Sequence, residues 1–260
     1  MSREEQIQAL RRQLRDIERQ LGGRTHPVSG WGREHAGSHT GQQVVSTGHE
    51  VINQLLPEGG LRRGGLVEWI QGGGPGSGAA SVALMVAAGV AKTEAETGQV
   101  VVIDPDGGFY PAAAVPLGID VAKLLVVRTG TEQEWQWAVE QVMRCRGVVA
   151  TVTWAGQVDE RACRRWQLAC ERGGGVGLLV RPDSVIGESS WAQVRVLVEG
   201  VACHEQQRER RWRARGLKGG VALGDGPLRE VEWEWGDETG GLRLVSGLEC
   251  AETVGVASTG

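Results

Sequence analysis

The sequence predicts an α/β fold with a mostly parallel central sheet, and three features of the chain support this prediction. Between residues 65 and 180, short apolar runs alternate with longer stretches of helical periodicity. This alternation is typical of βαβ units with right-handed crossovers. After Pro182 the chain changes to short segments that alternate apolar and polar residues, which favours an antiparallel extension of the sheet. One amphipathic helix precedes all of this.

The elements follow from the spacing of the apolar residues, and a strand that is apolar throughout is expected to be buried on both faces. Strands are predicted at 65–70, 99–103, 124–127, 147–154 and 176–180, with helices at 51–56, 79–92, 131–145 and 158–172. The extension is predicted to consist of strands at 194–198, 211–217 and 231–235.

Residues 2–21 are predicted to form the N-terminal helix. Ser2 and Glu5 make a capping box at its start. Its apolar residues are spaced three and four apart and form one seam, which comprises Ile7, Leu10, Leu14, Ile17 and Leu21. Two interpretations remain open. The seam packs against the chain's own domain, or it binds a partner chain or a second copy.

Composition divides the chain into four parts. The helix occupies residues 1–21. Residues 22–45 are rich in Gly, His, Ser, Thr and Gln and are interpreted as a flexible linker. Residues 46–250 form the core, and residues 251–260 form a flexible tail.

The overall composition excludes several classes of protein. Hydrophobic residues make up 40% and charged residues 23%, which is typical of a globular chain. The net charge of −4 means that any nucleic-acid contact must be local. No apolar run reaches the roughly 18 residues of a membrane span, and the N-terminus has no apolar signal core. We therefore expect a cytoplasmic protein with no membrane contact.

The cysteines and histidines do not predict a metal site. The five cysteines form no C-x-x-C pair, so reduced thiols are expected. Cys163 and Cys170 lie on one face of a predicted helix, whereas Cys203 and His204 lie elsewhere. Because zinc needs four converging ligands, no metal is expected.

A glycine-rich turn between the first core strand and its helix has the geometry of a phosphate-binding loop. It consists of Gly73, Gly74, Pro75, Gly76, Ser77, Gly78, Ala79 and Ala80. In a working G-x-x-x-x-G-K-[ST] loop, backbone N–H groups cradle the phosphates, the Lys contacts them and the hydroxyl binds Mg²⁺. Ala79 and Ala80 stand at the Lys and hydroxyl positions. The sequence therefore predicts a vestigial loop with no cofactor, apart from weak ATP binding through the backbone.

The residues around this loop resemble the start of a RecA core. Residues 45–48 (VSTG), 52–56 (INQLL) and 59–69 (GGLRRGGLVEW) match, in order, the run that leads into the phosphate loop of that family. Residues 101–106 (VVIDPD) resemble the strand end at which the family places its water-activating Glu, so Asp106 is the vestigial catalytic candidate. The resemblance covers about 45–200 and implies a RecA-like P-loop core.

The chain departs from the RecA pattern at further points. Thr153 or Trp154 stands where a strand should end in an acidic residue, and Arg181 stands where a nucleotide-sensing Gln is expected. The two DNA-binding loops of the family are shortened to about 154–158 and 181–190. These departures imply that neither ATP hydrolysis nor DNA strand exchange takes place.

Within this superfamily the chain is most similar to the ImuA proteins, RecA-related accessory proteins of bacterial damage-induced mutagenesis. The similarity rests on the short length, the N-terminal helix with its linker, and residues 211–220 (RWRARGLKGG). It implies a non-catalytic adaptor in the DNA damage response, which assists SOS mutagenesis and translesion synthesis. The implied partners are RecA or a polymerase-like subunit. The alternative is a divergent RecA-like ATPase or nucleotide-binding protein that acts on single-stranded DNA, with Arg62 or Arg63 near the phosphates.

The basic strand near the C-terminus allows two interpretations. Strand alternation places Arg211, Arg213 and Arg215 on one face. These charges either protect an edge strand from aggregation or contact the phosphates of single-stranded DNA.

Overall fold

The computed structural model describes residues 3–20, 44–93, 98–201, 210–219, 230–236 and 241–248. These residues form a mixed α/β fold with one large, mostly parallel sheet, antiparallel strands at one side and an N-terminal helix. The predicted fold class is therefore confirmed. None of the described helices has the length and apolar character that crossing a lipid bilayer requires.

The helices and strands have the following bounds. The helices are α1 (Arg3–Gln20), α2 (Glu50–Asn53), α3 (Ala79–Thr93), α4 (Glu132–Arg144) and α5 (Glu160–Gly173). The strands are β1 (Val44–Val45), β2 (Leu61–Arg62), β3 (Leu66–Gly72), β4 (Gln99–Asp104), β5 (Leu124–Arg128), β6 (Val148–Trp154), β7 (Val176–Pro182), β8 (Val194–Val201), β9 (Arg210–Lys218), β10 (Glu230–Gly236) and β11 (Gly241–Leu248).

The main sheet has β3 at its centre. Its described strands lie in the order β11-β10-β9-β8-β3-β7-β6-β4-β5, and β1 pairs separately with β2. Strands β3 to β8 run parallel, and β8–β9, β9–β10 and β10–β11 are antiparallel pairs. The expectation that the strand near residue 194 would run antiparallel was wrong. The chain crosses back over the sheet after β7, so β8 enters parallel to β3.

Helices cover both faces of the sheet and divide the core into two layers. The apolar helix α3 packs on one face with Val67 and Trp69 of β3. Helices α4 and α5 pack on the other face, where Trp135 and Trp166 meet edge to face with ring centroids 5.2 Å apart. Side-chain caps start these two helices, because Thr131 accepts a hydrogen bond from Glu134 N and Asp159 from Ala162 N.

The antiparallel extension buries its tryptophan-bearing face and carries paired charged residues on the other. Trp212, Trp233 and Trp235 belong to the same core layer as α3. Strand β9 lies between β8 and β10, so the expectation that it forms a sheet edge was wrong. Strand β11 was not predicted at all.

Helix α1 lies against the chain's own core. Leu10 and Leu14 are buried in the layer of α4 and α5, while Ile7 and Ile17 are half-buried. The guanidinium of Arg11 lies 5.5 Å from the ring centroid of Trp137 in α4. Leu21 lies outside the described residues, as do residues 22–43 of the predicted linker and the predicted tail. Of the two interpretations of the seam, this arrangement shows the intramolecular one.

Replacing Leu14 should measure how firmly α1 is held. We expect Leu14→Ala to lower the free energy of unfolding by about 2–4 kcal/mol, because it removes buried methyl groups and leaves a cavity. Gln13→Ala is the matched control, because Gln13 is exposed on the same helix. Urea unfolding followed by tryptophan fluorescence measures both. Equal stability of the two variants would show that α1 is not docked in solution.

Candidate functional site

The glycine-rich loop joins the carboxyl end of the central strand to a buried helix. Strand β3 ends at Gly72, residues 75–77 form a 3₁₀ turn and α3 starts at Ala79. Gly78 adopts a left-handed conformation with φ of 88°. The glycine-rich turn therefore connects a strand to a helix, in the order that the sequence predicts.

The N–H groups of this loop bond within the loop itself. Ser77 N donates to Gly74 O at 3.1 Å, and Gly74 N donates to Gln71 O at 3.4 Å. Ala79 N donates to the buried Ser77 hydroxyl at 3.3 Å. An anion cradle needs such N–H groups free and converging on a ligand. Three of the donors that could serve a phosphate already have partners.

The two alanines give the loop no charge and no metal ligand. Ala79 is fully buried in the core layer of α3, and Ala80 packs against that layer. Lys92 lies in the last turn of α3, beside Gly118. A lysine one helix length away cannot reach the loop, since thirteen residues of helix span about 20 Å.

A tryptophan from the antiparallel extension packs against the loop. A Cβ on Gly78 would overlap Nε1 of Trp212 in β9, which shows how closely the indole approaches the backbone. Trp212 is itself buried and pairs across the sheet with Gly200. Sequence analysis missed this residue. The sequence signals its role only by its position between Arg211 and Arg213, because alternation along a strand places it on the opposite face.

The acidic candidate Asp106 lies exposed in the turn after β4. The buried carboxylate at this strand end is instead Asp104. Its oxygens accept hydrogen bonds from Gly108 N at 3.2 Å and Phe109 N at 2.9 Å. Asp104 thus holds the turn in shape, and Asp106 has the exposure of a surface residue.

Thr153 stands where the sequence analysis looked for a second acidic residue, and it has a structural role. Its hydroxyl donates to Ile103 O at 2.8 Å and accepts from the indole N–H of Trp135, also at 2.8 Å. The threonine therefore ties α4 to strands β4 and β6.

Arg181 belongs to an ionic cluster around the fully buried Glu68. Its Nη1 lies 2.9 Å from Oε1 of Glu68 on β3. Its Nη2 lies 2.9 Å from Gly156 O and 3.3 Å from Oε2 of Glu188. The other oxygen of Glu68 accepts from Arg195 Nε at 2.7 Å. The residue at the position of the nucleotide-sensing Gln therefore fixes the surrounding loops.

The arginines of β9 face a row of glutamates on β10. Arg213 lies 2.5 Å from Glu232 and 3.4 Å from Glu230, and Arg211 lies 3.2 Å from Glu234. Hydrogen bonding to Glu232 raises the pKa of Arg213. Arg215 is exposed, on the same face. Two of the three arginines proposed to contact DNA are thus paired within the sheet.

Arg62 and Arg63 lie at the wrong end of β3 to assist a phosphate. Arg62 pairs with Glu58 ahead of the strand, whereas the loop follows its carboxyl end. Seven extended residues separate the two ends by about 20 Å. The expectation that either arginine could replace the missing lysine was therefore wrong.

The buried cysteines are protonated thiols. Burial raises the pKa of Cys145 and Cys163 to about 11 and that of Cys170 to about 12. Within the ranges that the structure describes, no three His, Cys, Asp or Glu side chains come together to hold a metal ion. Cys203 and His204 lie outside those ranges.

Comparison with known proteins agrees with this sheet order and loop, which together define a P-loop fold of the RecA type. The sequence model of the RecA N-terminal domain family matches residues 8–153. Protein ImuA of Caulobacter vibrioides, in two strains, is 31% identical over 176 residues, which cover 62% of this chain and 71% of the relative. Protein RecA of Chlorobium chlorochromatii is 31% identical over 110 residues, or 42% of this chain and 30% of the relative. The chain therefore belongs to the RecA N-terminal domain family and, within it, to the ImuA proteins.

Two glycines of the loop offer a test of the contact with Trp212. Gly73 and Gly78 both have positive φ, but a Cβ on Gly73 would meet nothing within 4 Å. We expect Gly73→Ala to cost about 1–2 kcal/mol of stability from the backbone conformation alone. Gly78→Ala should cost about 2 kcal/mol more, because its methyl group overlaps the indole. Urea unfolding compares them, and equal losses would contradict the packing of Trp212 on the loop.

Proposed function

We propose that this protein is a non-catalytic RecA-like adaptor in the DNA damage response. The observation that carries the proposal is the self-bonded phosphate loop. Ala79 is buried where a lysine would be needed, and its N–H group bonds to Ser77. N–H groups that bond within the loop are not available as hydrogen-bond donors to a triphosphate.

Physical chemistry supports the loss of catalysis. A triphosphate loop depends on a lysine and a bound Mg²⁺ to offset the charge of the phosphates. Neither position is filled by a suitable side chain here. Asp106 is exposed, and Asp104 is committed to its turn, so neither carboxylate is oriented as a general base.

The resemblance to ImuA supplies the biological setting of the proposal. It implies an accessory that assists a mutagenic polymerase at damaged DNA, with RecA or a polymerase-like subunit as the direct partner. A RecA-like body without a nucleotide cycle suits this role, because it presents fixed surfaces instead of switching between states.

We propose α1 as one surface that contacts such a partner. Leu10 and Leu14 are occupied by the chain's own core, whereas Ile7 and Ile17 remain partly accessible. Ile7 also lines a cleft of about 160 Å³ between α1 and α4, together with Trp137. A partner side chain can enter this cleft without displacing the helix.

The alternative, a nucleotide-binding protein that acts on single-stranded DNA, has weaker support. Arg211 and Arg213 are paired with glutamates, whereas Arg215 is exposed. A phosphate backbone would have to displace those glutamates. The arrangement therefore favours a structural role for the ladder.

Titration with ATP and Mg²⁺ tests the loss of nucleotide binding. We expect no measurable heat from the protein at nucleotide concentrations that saturate a RecA protein, because three N–H groups of the loop already have partners and the lysine is absent. An active RecA protein serves as the positive control. Micromolar affinity for ATP would overturn the adaptor proposal and favour the alternative, a divergent RecA-like ATPase or nucleotide-binding protein.

Co-purification tests the proposed partner surface. We expect Ile7→Asp and Ile17→Asp to weaken retention of a polymerase-like subunit or of RecA, because a buried carboxylate opposes an apolar contact. Gln13→Asp is the matched control on the same helix. Retention that is the same for all three variants would remove α1 from the interface.

A further inference from the structure

The solvent-facing side of α5 carries a row of arginines. Counted at 3.6 residues per turn, five side chains fall within about 100° of one another around the helix axis, namely Arg161, Arg164, Arg165, Leu168 and Arg172. All five are exposed, whereas the opposite side of α5 is buried against α4 and the sheet. This set, here named the arginine stripe, carries four positive charges and no carboxylate.

Two carboxylates border the arginine stripe on one flank of α5, and both already have partners. The indole N–H of Trp191 donates to Glu160 Oε1 at 3.2 Å. The side-chain amide of Gln167 donates to Glu171 Oε1 at 3.1 Å. Neither glutamate forms an ion pair with the stripe within the described ranges. This flank is therefore acidic, and the stripe itself remains positive.

On its other flank the arginine stripe meets α4 through a single ion pair. Arg165 Nε lies 3.6 Å from Oε2 of Glu140, which also pairs with Arg144. The guanidinium of Arg164 lies 4.9 Å from the ring centroid of Trp191, a cation–π contact that leaves its charge intact. Within the part of the chain that the structure describes, the stripe's arginines other than Arg165 form no ion pair. Three positive charges therefore face the solvent without a carboxylate.

The first arginines of the stripe do not stabilise the helix that carries them. Arg161 and Arg164 lie near the N-terminus of α5, where the helix dipole favours negative charge. Arg161 is also three and four residues from Arg164 and Arg165, a spacing at which like charges repel one another. Only Arg172, in the last turn, has a favourable position relative to the dipole. An acidic ligand would offset the repulsion at the start of the stripe.

The shape and composition of the arginine stripe favour a protein segment over other ligands. Leu168 lies at its centre and is 45% exposed, and an apolar side chain forms no favourable contact with a phosphate. The stripe is one helix wide, about 10 Å, and the carboxylates on both flanks repel a nucleic-acid backbone. A second copy of the same face would set arginine against arginine, so a symmetric dimer through it is also unfavourable.

We propose that the arginine stripe docks an acidic segment of a partner protein, with an apolar residue between its carboxylates. The carboxylates of the partner pair with Arg161, Arg164 and Arg172, and its apolar residue covers Leu168. The rise from Arg161 to Arg172 is about 16 Å, which matches about three turns of a partner helix. This inference does not depend on the adaptor proposal, because it uses neither the phosphate loop nor α1.

Labelled probes of opposite charge test the arginine stripe on the full chain. The first probe is a short fluorescent peptide of Glu and Leu in helical spacing, the second replaces each Glu by Lys, and the third is single-stranded oligothymidine. Fluorescence anisotropy should show binding of the acidic peptide and not of the basic one. Added salt should weaken this binding, because the charges are exposed. We expect the double variant Arg161→Glu, Arg172→Glu to weaken it about tenfold or more, which corresponds to about 1.4 kcal/mol, and Leu168→Ala to weaken it severalfold.

The controls make matched changes elsewhere on the molecule. The double variant Arg128→Glu, Arg210→Glu reverses two exposed arginines outside α5 and changes the net charge by the same amount. Tyr110→Ala removes a side chain that is 70% exposed and is the counterpart of Leu168→Ala. Both controls should bind the acidic peptide as the unaltered chain does, and thermal melting checks that every variant is folded.

Chemical footprinting of the unaltered chain gives a second readout that needs no variant. Phenylglyoxal modifies exposed guanidinium groups, and mass spectrometry locates them. The acidic peptide should slow modification of Arg161 and Arg172 but not of Arg128. Equal protection of all three arginines, equal binding of the two peptides, loss of binding in the control variants, or oligothymidine binding that the stripe variant abolishes would each overturn the proposal.

Discussion

The fully buried carboxylate of Glu68 is the constraint on which the centre of this molecule depends. It lies on β3, the central strand of the described sheet, where an unpaired charge would cost several kcal/mol. Arg181 from β7 and Arg195 from β8 neutralise it from the two neighbouring strands. Because each arginine also binds backbone carbonyls, the alignment of three strands and the path of the chain between them are fixed together.

The phosphate loop and the ionic cluster show the same change in two places. Each keeps the backbone of a nucleotide-dependent fold and uses its polar groups for internal contacts. Ser77 bonds to the loop that it would otherwise leave open, and Arg181 holds segments that a nucleotide sensor would have to release. In both places, polar side chains are committed to contacts within the chain.

Local signals in the sequence were sufficient to predict most of the helices and strands. The glycine spacing of residues 73–78 and the alanines after it are visible in the sequence, so the turn between β3 and α3 could be predicted, while its vestigial nature stays a prediction. The pairing between strands that are distant in the sequence could not be predicted. The parallel direction of β8, the central position of β9 and the approach of Trp212 to Gly78 all depend on how the chain returns across the sheet, which no local pattern records.

The contact between Trp212 and Gly78 restricts which substitutions the glycine-rich loop can accept. A lysine placed at position 79 would not change two other features of the loop. The N–H group of residue 79 donates to Ser77, and the indole of Trp212 packs against Gly78. A single substitution such as Ala79→Lys would disturb the buried core and would not by itself create a phosphate-binding site. On the adaptor proposal, a phosphate-binding loop could therefore be rebuilt here only by several substitutions made together.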